Sequence, residues 1–174
     1  MPWKNGGGTT WEVAVHPRDA PWTDFEWRVS IAGVASDGPF STFPGIDRTL
    51  VVLEGSGMRL TGIGEAPVDV RLHDVVAFAG EAQVDSRLLA GPTRDFNVMT
   101  RRGVVRAEVR VVQDARARWS IDSTYVCHAA LRSCACVVDD STVELPEAHT
   151  LVCHACRFEI DASGAAAVVA RIAR

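Results

Sequence analysis

Between Pro92 and Gly103 the sequence concentrates arginines, an acid, an amide and a thioether: Arg94, Asp95, Asn97, Met99, Arg101 and Arg102. Turn formers bracket the run, and such density is unusual for a strand that only fills a core. Asp95, Asn97 and Met99 stand two apart and so share one face of an extended segment. Upstream, Arg28 and Ser30 alternate with Trp27, Val29 and Ile31, and Arg48 opens the apolar run Leu50–Leu53. Lys4 and Asn5 precede three glycines that let backbone approach a ligand closely, although the strand and the Gly-Lys-Ser/Thr ending of a phosphate loop are missing.

A pocket for a small carboxylate needs fixed positive donors, a few amides or hydroxyls, and apolar walls. Lys4, Asn5, Arg28, Ser30, Arg48, Asp95, Asn97 and Met99 have that chemistry. An arginine can hold a carboxylate through two parallel hydrogen bonds, which a lysine cannot. Asp95 fits the task of orienting an arginine better than that of touching an anion. Phe40, Phe43, Phe96 and Met99 could form the walls, or simply fill a core. Arg28 could equally lie in solvent on a half-exposed sheet, and the glycine run could be a plain terminus.

A second group of chemistry-bearing residues follows: Cys127-His128, Cys134 and Cys136, then Cys153-His154 and Cys156. Thiolates and imidazoles at such spacings could hold zinc, Cys153 and Cys156 above all. The alternative is that Cys127, Cys136 and Cys153 are small apolar residues on buried strands. No thioredoxin-like strand–helix context supports a redox role. Arg106, Glu108 and Arg110 alternate with Val105, Ala107, Val109 and Val111, as on a solvated sheet face. No aromatic residues interleave with these arginines, which argues against a nucleic-acid surface. No nucleophile–base–acid constellation or carboxylate pair stands out.

The elements that must position these groups are short strands. Apolar alternation predicts strands over 9–15, 26–34, 48–54, 58–61, 68–72, 75–78, 84–89, 96–100 and 104–112, then 124–127, 136–138, 150–153 and 157–160. Residues 168–172 read as a strand or a short helix, and 110–118 as a helical or loop connection. Gly55 and Gly57 suggest a hairpin joining the strands on either side. The 174 residues suffice for one domain, and the net charge of −4 is mild. No apolar run reaches the roughly 18 residues of a membrane helix. Five cysteines, an odd number, fit a reducing compartment, so a soluble cytoplasmic protein is expected.

Four strings carry a family resemblance: Met1 to Thr10, Phe25 to Ala32, Asp37 to Arg48 and Gly91 to Met99. Uncommon and in the right order, they resemble the HutD/Ves family, a branch of the cupin superfamily associated with histidine utilisation. The resemblance covers about residues 1–103. It implies an all-β, cupin-like β-barrel of bicupin type, with two small barrels or sheets sharing one core. The whole chain, 1–174, would be a single HutD/Ves cupin-like domain, with first-barrel motifs over about 1–103 and a second half over about 104–174. Family members carry additional residues before the Pro-Trp-Lys-Asn string, so either the true start lies upstream or Met1 opens a tidy terminus.

The resemblance further implies binding of formylglutamate or a related acidic intermediate of histidine degradation, modulating that pathway without catalysis. Alternatives are a cupin enzyme of isomerase or hydrolase type acting on a related small acid, and a stress-related protein of the Ves kind. A metal-dependent cupin needs two histidines one residue apart, an acid and a further histidine. Only His16 and His73 occur in the first hundred residues. The expectation is therefore no catalytic residues, no metal and no cofactor. The expected partner is a small acidic metabolite rather than nucleic acid or membrane, and the resemblance admits a homodimer.

Overall fold

The computed structural model describes Met1, Trp3 and residues 7–174; for Ser120, Ile121 and Asp122 only the backbone is described. Lys4 and Asn5 lie outside the described residues. Among the described residues every regular element is a strand, which agrees with the all-β expectation. Among the described residues no helix is long and apolar enough to cross a membrane. The chain divides into two compact units, Met1–Arg106 and Ala107–Arg174.

In the first unit the strands are β1 (Gly8–His16), β2 (Trp27–Val34), β3 (Gly38–Pro39), β4 (Ile46–Glu54), β5 (Met58–Thr61), β6 (Val68–Val70), β7 (Val75–Ala79), β8 (Asp85–Leu88) and β9 (Thr93–Arg101). They form a five-stranded antiparallel sheet, ordered β1-β2-β9-β4-β7, and a four-stranded sheet, ordered β3-β8-β5-β6. Neither closes on itself. Alternation aims Leu50 and Val52 of the first sheet at Met58, Leu60 and Val70 of the second, with Val34, Phe78 and Val84 completing the cluster. The unit is thus a sandwich held by apolar side chains from two inner faces.

Gly55 and Gly57 do not close a hairpin. β4 pairs with β7 and β9, whereas β5 pairs with β6 and β8, so the turn carries the chain from one sheet to the other. Turn chemistry is the same in both cases, and sequence cannot tell a reversal from a crossing. Both glycines have positive φ, 88° and 90°, and a Cβ on Gly57 would lie 2.0 Å from the Val70 carbonyl oxygen. Gly57→Ala is therefore expected to lower stability by about 2 kcal/mol or more, read as a fall in the urea midpoint at unchanged m-value.

In the second unit β10 (Arg106–Gln113), β11 (Arg116–Leu131), β12 (Cys134–Val138), β13 (Ser141–Leu145), β14 (Thr150–Asp161) and β15 (Ala166–Ala173) form one sheet, ordered β10-β15-β11-β14-β12-β13. Tyr125 stacks on Phe158 with ring centroids 5.2 Å apart, and Trp119 tilts against both. The expected connection over 110–118 is instead strand on either side of a tight turn at Asp114, whose φ is 48°. The strands expected over 150–153 and 157–160 are one strand, β14. Register shifts along its pairing with β11 and a positive φ at Ala155 break the alternation without ending the strand. The C-terminal segment is strand, not helix.

Candidate functional site

Cross-strand register brings the charged face together. On β9, Asp95 lies opposite Ala32, Asn97 opposite Ser30 and Met99 opposite Arg28 of β2. On the other side of β9, Met99 lies opposite Arg48, Asn97 opposite Leu50 and Asp95 opposite Val52 of β4. Paired residues present side chains to the same face, so Ser30, Arg48, Asp95, Asn97 and Met99 converge on the inner face of the five-stranded sheet.

They line a cavity of about 770 Å³ together with Trp3, Thr10, Trp22, Ala32, Phe40, Ser41, Thr42 and Phe43. The segment after β3 supplies one wall from Pro39 to Phe43. Trp3 is fixed by its indole Nε1, which donates to Thr10 Oγ1 at 2.7 Å. A smaller cavity of about 480 Å³ is lined by Gly8, Trp11, Gly33, Glu54 and Arg94. Its two charges pair with each other, Arg94 Nη1 lying 2.5 Å from Glu54 Oε1. The larger cavity carries the chemistry.

Arg48 is its cation. The side chain is buried, with Cζ 5.0 Å, 5.2 Å and 5.7 Å from the ring centroids of Phe78, Phe40 and Phe43. Arg48 Nη1 donates to the Ser41 carbonyl at 3.2 Å, while Nε and Nη2 share Asn97 Oδ1 at 3.4 Å. The last two bonds are long, so the guanidinium edge is held in place without being saturated. Burial pulls the Arg48 pKa down to about 10, with Asp95 opposing the fall. It remains a cation at neutral pH.

Asp95 is the one acid among the described lining residues. It is 3% exposed, and burial raises its pKa to about 7 against the opposing attraction of Arg48. A carboxyl in that state can donate a hydrogen bond when protonated and accept when ionised. The rows of Met99 and Asp95 are four residues apart on β9, about 13 Å along the strand. The Arg48 guanidinium reaches back to Asn97, the row between them, so the cavity wall carries a cation, an amide and a titrating carboxyl, with the Ser30 hydroxyl beside the amide.

Not every expected residue joins the cavity. Arg28 is buried on the same sheet face but does not line it. Its Nη2 lies 2.9 Å from Glu12 Oε2 and donates to the Ala20 carbonyl, and its Cζ sits 3.6 Å from the Trp22 ring centroid. The loop holding Ala20 and Trp22 folds over it, which places it between cavity wall and loop instead of in solvent. Phe96, expected as a wall, is buried on the opposite face of β9 by strand alternation. Arg101 and Arg102 act as clamps: Arg101 Nε donates to the Phe25 carbonyl at 2.9 Å, and Arg102 engages Asp47 and Glu81. Trp3, Thr10, Trp22, Ala32, Ser41 and Thr42 were missed by sequence reasoning, since only the β1–β2 register and the loop paths bring them in.

The cysteines are arranged differently from their sequence spacing. Cys127, Cys134 and Cys136 have sulfur atoms within 4.8 Å of one another, all buried. His128 Nδ1 bonds Thr150 Oγ1 and His154 Nδ1 bonds Thr124 Oγ1, and neither histidine contributes an atom to the three-sulfur group.

Comparison with known proteins gives a consistent set of similarities. The sequence profile of a family described as HutD matches residues 1–170. An uncharacterized 21.2 kDa protein in the hutC 3' region of Pseudomonas putida is 40% identical over 130 residues, 75% of this chain and 68% of that protein. Protein Ves of Citrobacter koseri is 41% identical over 111 residues, and the match spans 63% of this chain but only 56% of that protein. The structure of HutD from Pseudomonas fluorescens SBW25 superposes with a TM-score of 0.86 at 28% identity, covering 99% of this chain and 91% of that one. A cupin 2 conserved barrel domain protein from Leptotrichia buccalis shares the fold alone, with a TM-score of 0.61 at 8% identity over 99% of this chain and 91% of that one. The all-β fold is cupin-like, built from open sheets in place of a closed barrel.

Proposed function

The chain belongs to the HutD family, and on that premise we propose that it binds formylglutamate or a related acidic intermediate of histidine degradation and modulates that pathway without catalysis. The observation that carries this reading is the cavity that holds a buried, incompletely satisfied Arg48 together with a buried Asp95. A carboxylate of the ligand pairs with the Arg48 guanidinium as a charge-assisted hydrogen bond. Asn97 and Ser30 are placed to bond the formamide group carried on the α-carbon. Protonated Asp95 donates to a further oxygen of the ligand, and Phe40, Phe43 and Met99 exclude water from its carbon chain. A hutC-region relative is consistent with a place near histidine utilisation.

The alternative of a cupin enzyme is less well supported by the lining, which holds one acid, one arginine and neither histidine nor cysteine among its described residues. A non-catalytic protein has no turnover to assay, so stability is the readout. Formylglutamate, formiminoglutamate, urocanate and histidine, each added in excess to the folded chain, should separate in a thermal-shift series. The expected order places formylglutamate first and histidine last, with a gain of about 2.7 kcal/mol at a concentration one hundred times its Kd. A flat response to all four from a cooperatively melting protein would remove the proposal. Turnover of any of them would favour the enzyme reading.

A further inference from the structure

We propose that Cys127, Cys134 and Cys136 form a three-sulfur site for one soft, closed-shell metal ion, with copper(I) the ion it fits best. The site lies in the second unit and is independent of the ligand cavity.

Register shows why this convergence is more than thiols packed side by side. Cys127 of β11 lies opposite Leu151 of β14, whereas Cys136 of β12 lies opposite Ile160 of the same strand. Nine residues separate those positions, which an unbent strand would spread over about 30 Å. Yet the sulfurs of Cys127 and Cys136 are 3.9 Å apart. The sheet must fold over so that β12 faces β11 across the core, and the thiols meet from opposing walls. Cys134 completes the group from the start of β12, all three sulfurs lying within 4.8 Å of one another.

Metal–thiolate bonds of about 2.3 Å place the sulfurs of a trigonal site about 4 Å apart, the spacing already present between Cys127 and Cys136. Among the described residues no fourth histidine, cysteine or carboxylate atom joins the group. Zinc in structural sites takes four ligands, whereas copper(I) is selected by soft sulfur and is satisfied with three. Cys134 follows an exposed turn whose Arg132 has a φ of 60°, giving an ion a short path to the first sulfur. Uptake forms metal–sulfur bonds and releases the thiol protons to solvent; no electron is transferred. The pair Cys153 and Cys156 stands outside the group, although its spacing is the one that resembles a metal motif.

The test uses the full chain, reduced and anaerobic, titrated with copper(I) supplied as its coloured bicinchoninate complex. One ion per chain should transfer to the protein, with tighter uptake as pH rises because protons leave. Cys127→Ser, Cys134→Ser and Cys136→Ser should each weaken retention at least 100-fold, and Cys156→Ser should leave it unchanged. The unsubstituted chain gives a second readout should a serine variant unfold. Bound copper(I) should slow N-ethylmaleimide labelling of the three cysteines, mapped by peptide mass, but not of Cys153 and Cys156. Failure of transfer at one equivalent, protection of Cys153 and Cys156 in place of the group, or tighter retention of zinc(II) than of copper(I) would each overturn the assignment.

Discussion

Replacing Asp95 by asparagine is expected to remove a pH dependence of stability worth about 4 kcal/mol. Burial raises the Asp95 pKa from 3.8 to about 7, net of the attraction from Arg48. Between those values the folded chain holds a proton that the unfolded chain has released. The native state thus binds more protons than the unfolded state, and stability must fall as pH rises through that window. Below about pH 4 the group is neutral in both states and the effect vanishes; above about pH 7 it is complete and flat. The carboxyls of Glu81 and Asp161, held down to about 2 by hydrogen bonds to Arg102 and Ser163 respectively, add stability that is lost as pH falls from their ordinary values toward about 2. That opposite trend is common to both proteins and cancels in the difference. Urea unfolding of both proteins from pH 4 to 8 isolates Asp95 as the difference between the two curves. The asparagine variant should gain relative to the parent as pH rises. Parallel curves would mean that Asp95 is ionised or solvated throughout.

The same proton governs binding in the proposed function. An anionic ligand meets a neutral Asp95 below about pH 7 and a repelling carboxylate above it. Affinity should therefore fall by as much as tenfold per pH unit on the alkaline side, and Asp95→Asn should abolish that fall.

Arg48→Met is the second large effect, expected to weaken binding of the acidic ligand at least 100-fold while leaving the chain folded. A charge-assisted hydrogen bond contributes about 1.5–3 kcal/mol, and a buried two-pronged one lies at the upper end. Methionine keeps most of the volume between Phe40, Phe43 and Phe78, and replacing a buried charge by an apolar side chain is often neutral for stability. Arg48→Lys retains the charge but loses the planar fork and its contact with the aromatic rings, so it should rescue only part of the affinity. Without Arg48 the Asp95 pKa should rise further, because the attraction that holds it down is gone. The pH window of the stability curve would then extend upward, a coupling that a merely structural Arg48 would not produce. Calorimetry for the ligand and urea unfolding for the window check the two halves separately.

Much of this arrangement was legible in the sequence. Alternation puts Asp95, Asn97 and Met99 on one face of β9, and the family strings gave the all-β, cupin-like class. What strand period cannot supply is partnership. Arg28 and Arg48 both stand on the inner face, but a loop carrying Trp22 covers the first while the second faces the cavity. That difference depends on where residues 17–25 fold, and no local pattern encodes it. The cysteines make the same point. Cys153 and Cys156 carry the spacing that reads as a metal motif, yet sheet curvature brings Cys127, Cys134 and Cys136 together. The sequence pattern divides β14 in two because register shifts along it interrupt the period that defines a strand.

The cavity's task is most directly measured by calorimetric titration of the unsubstituted chain with formylglutamate, beside the same compound with both carboxylates converted to neutral amides. The account requires one saturable site per chain for the acid, with affinity falling above about pH 7, and binding of the diamide weakened by at least 100-fold. Equal affinity for the acid and the diamide, or no heat of binding from a chain that still melts cooperatively, would contradict it.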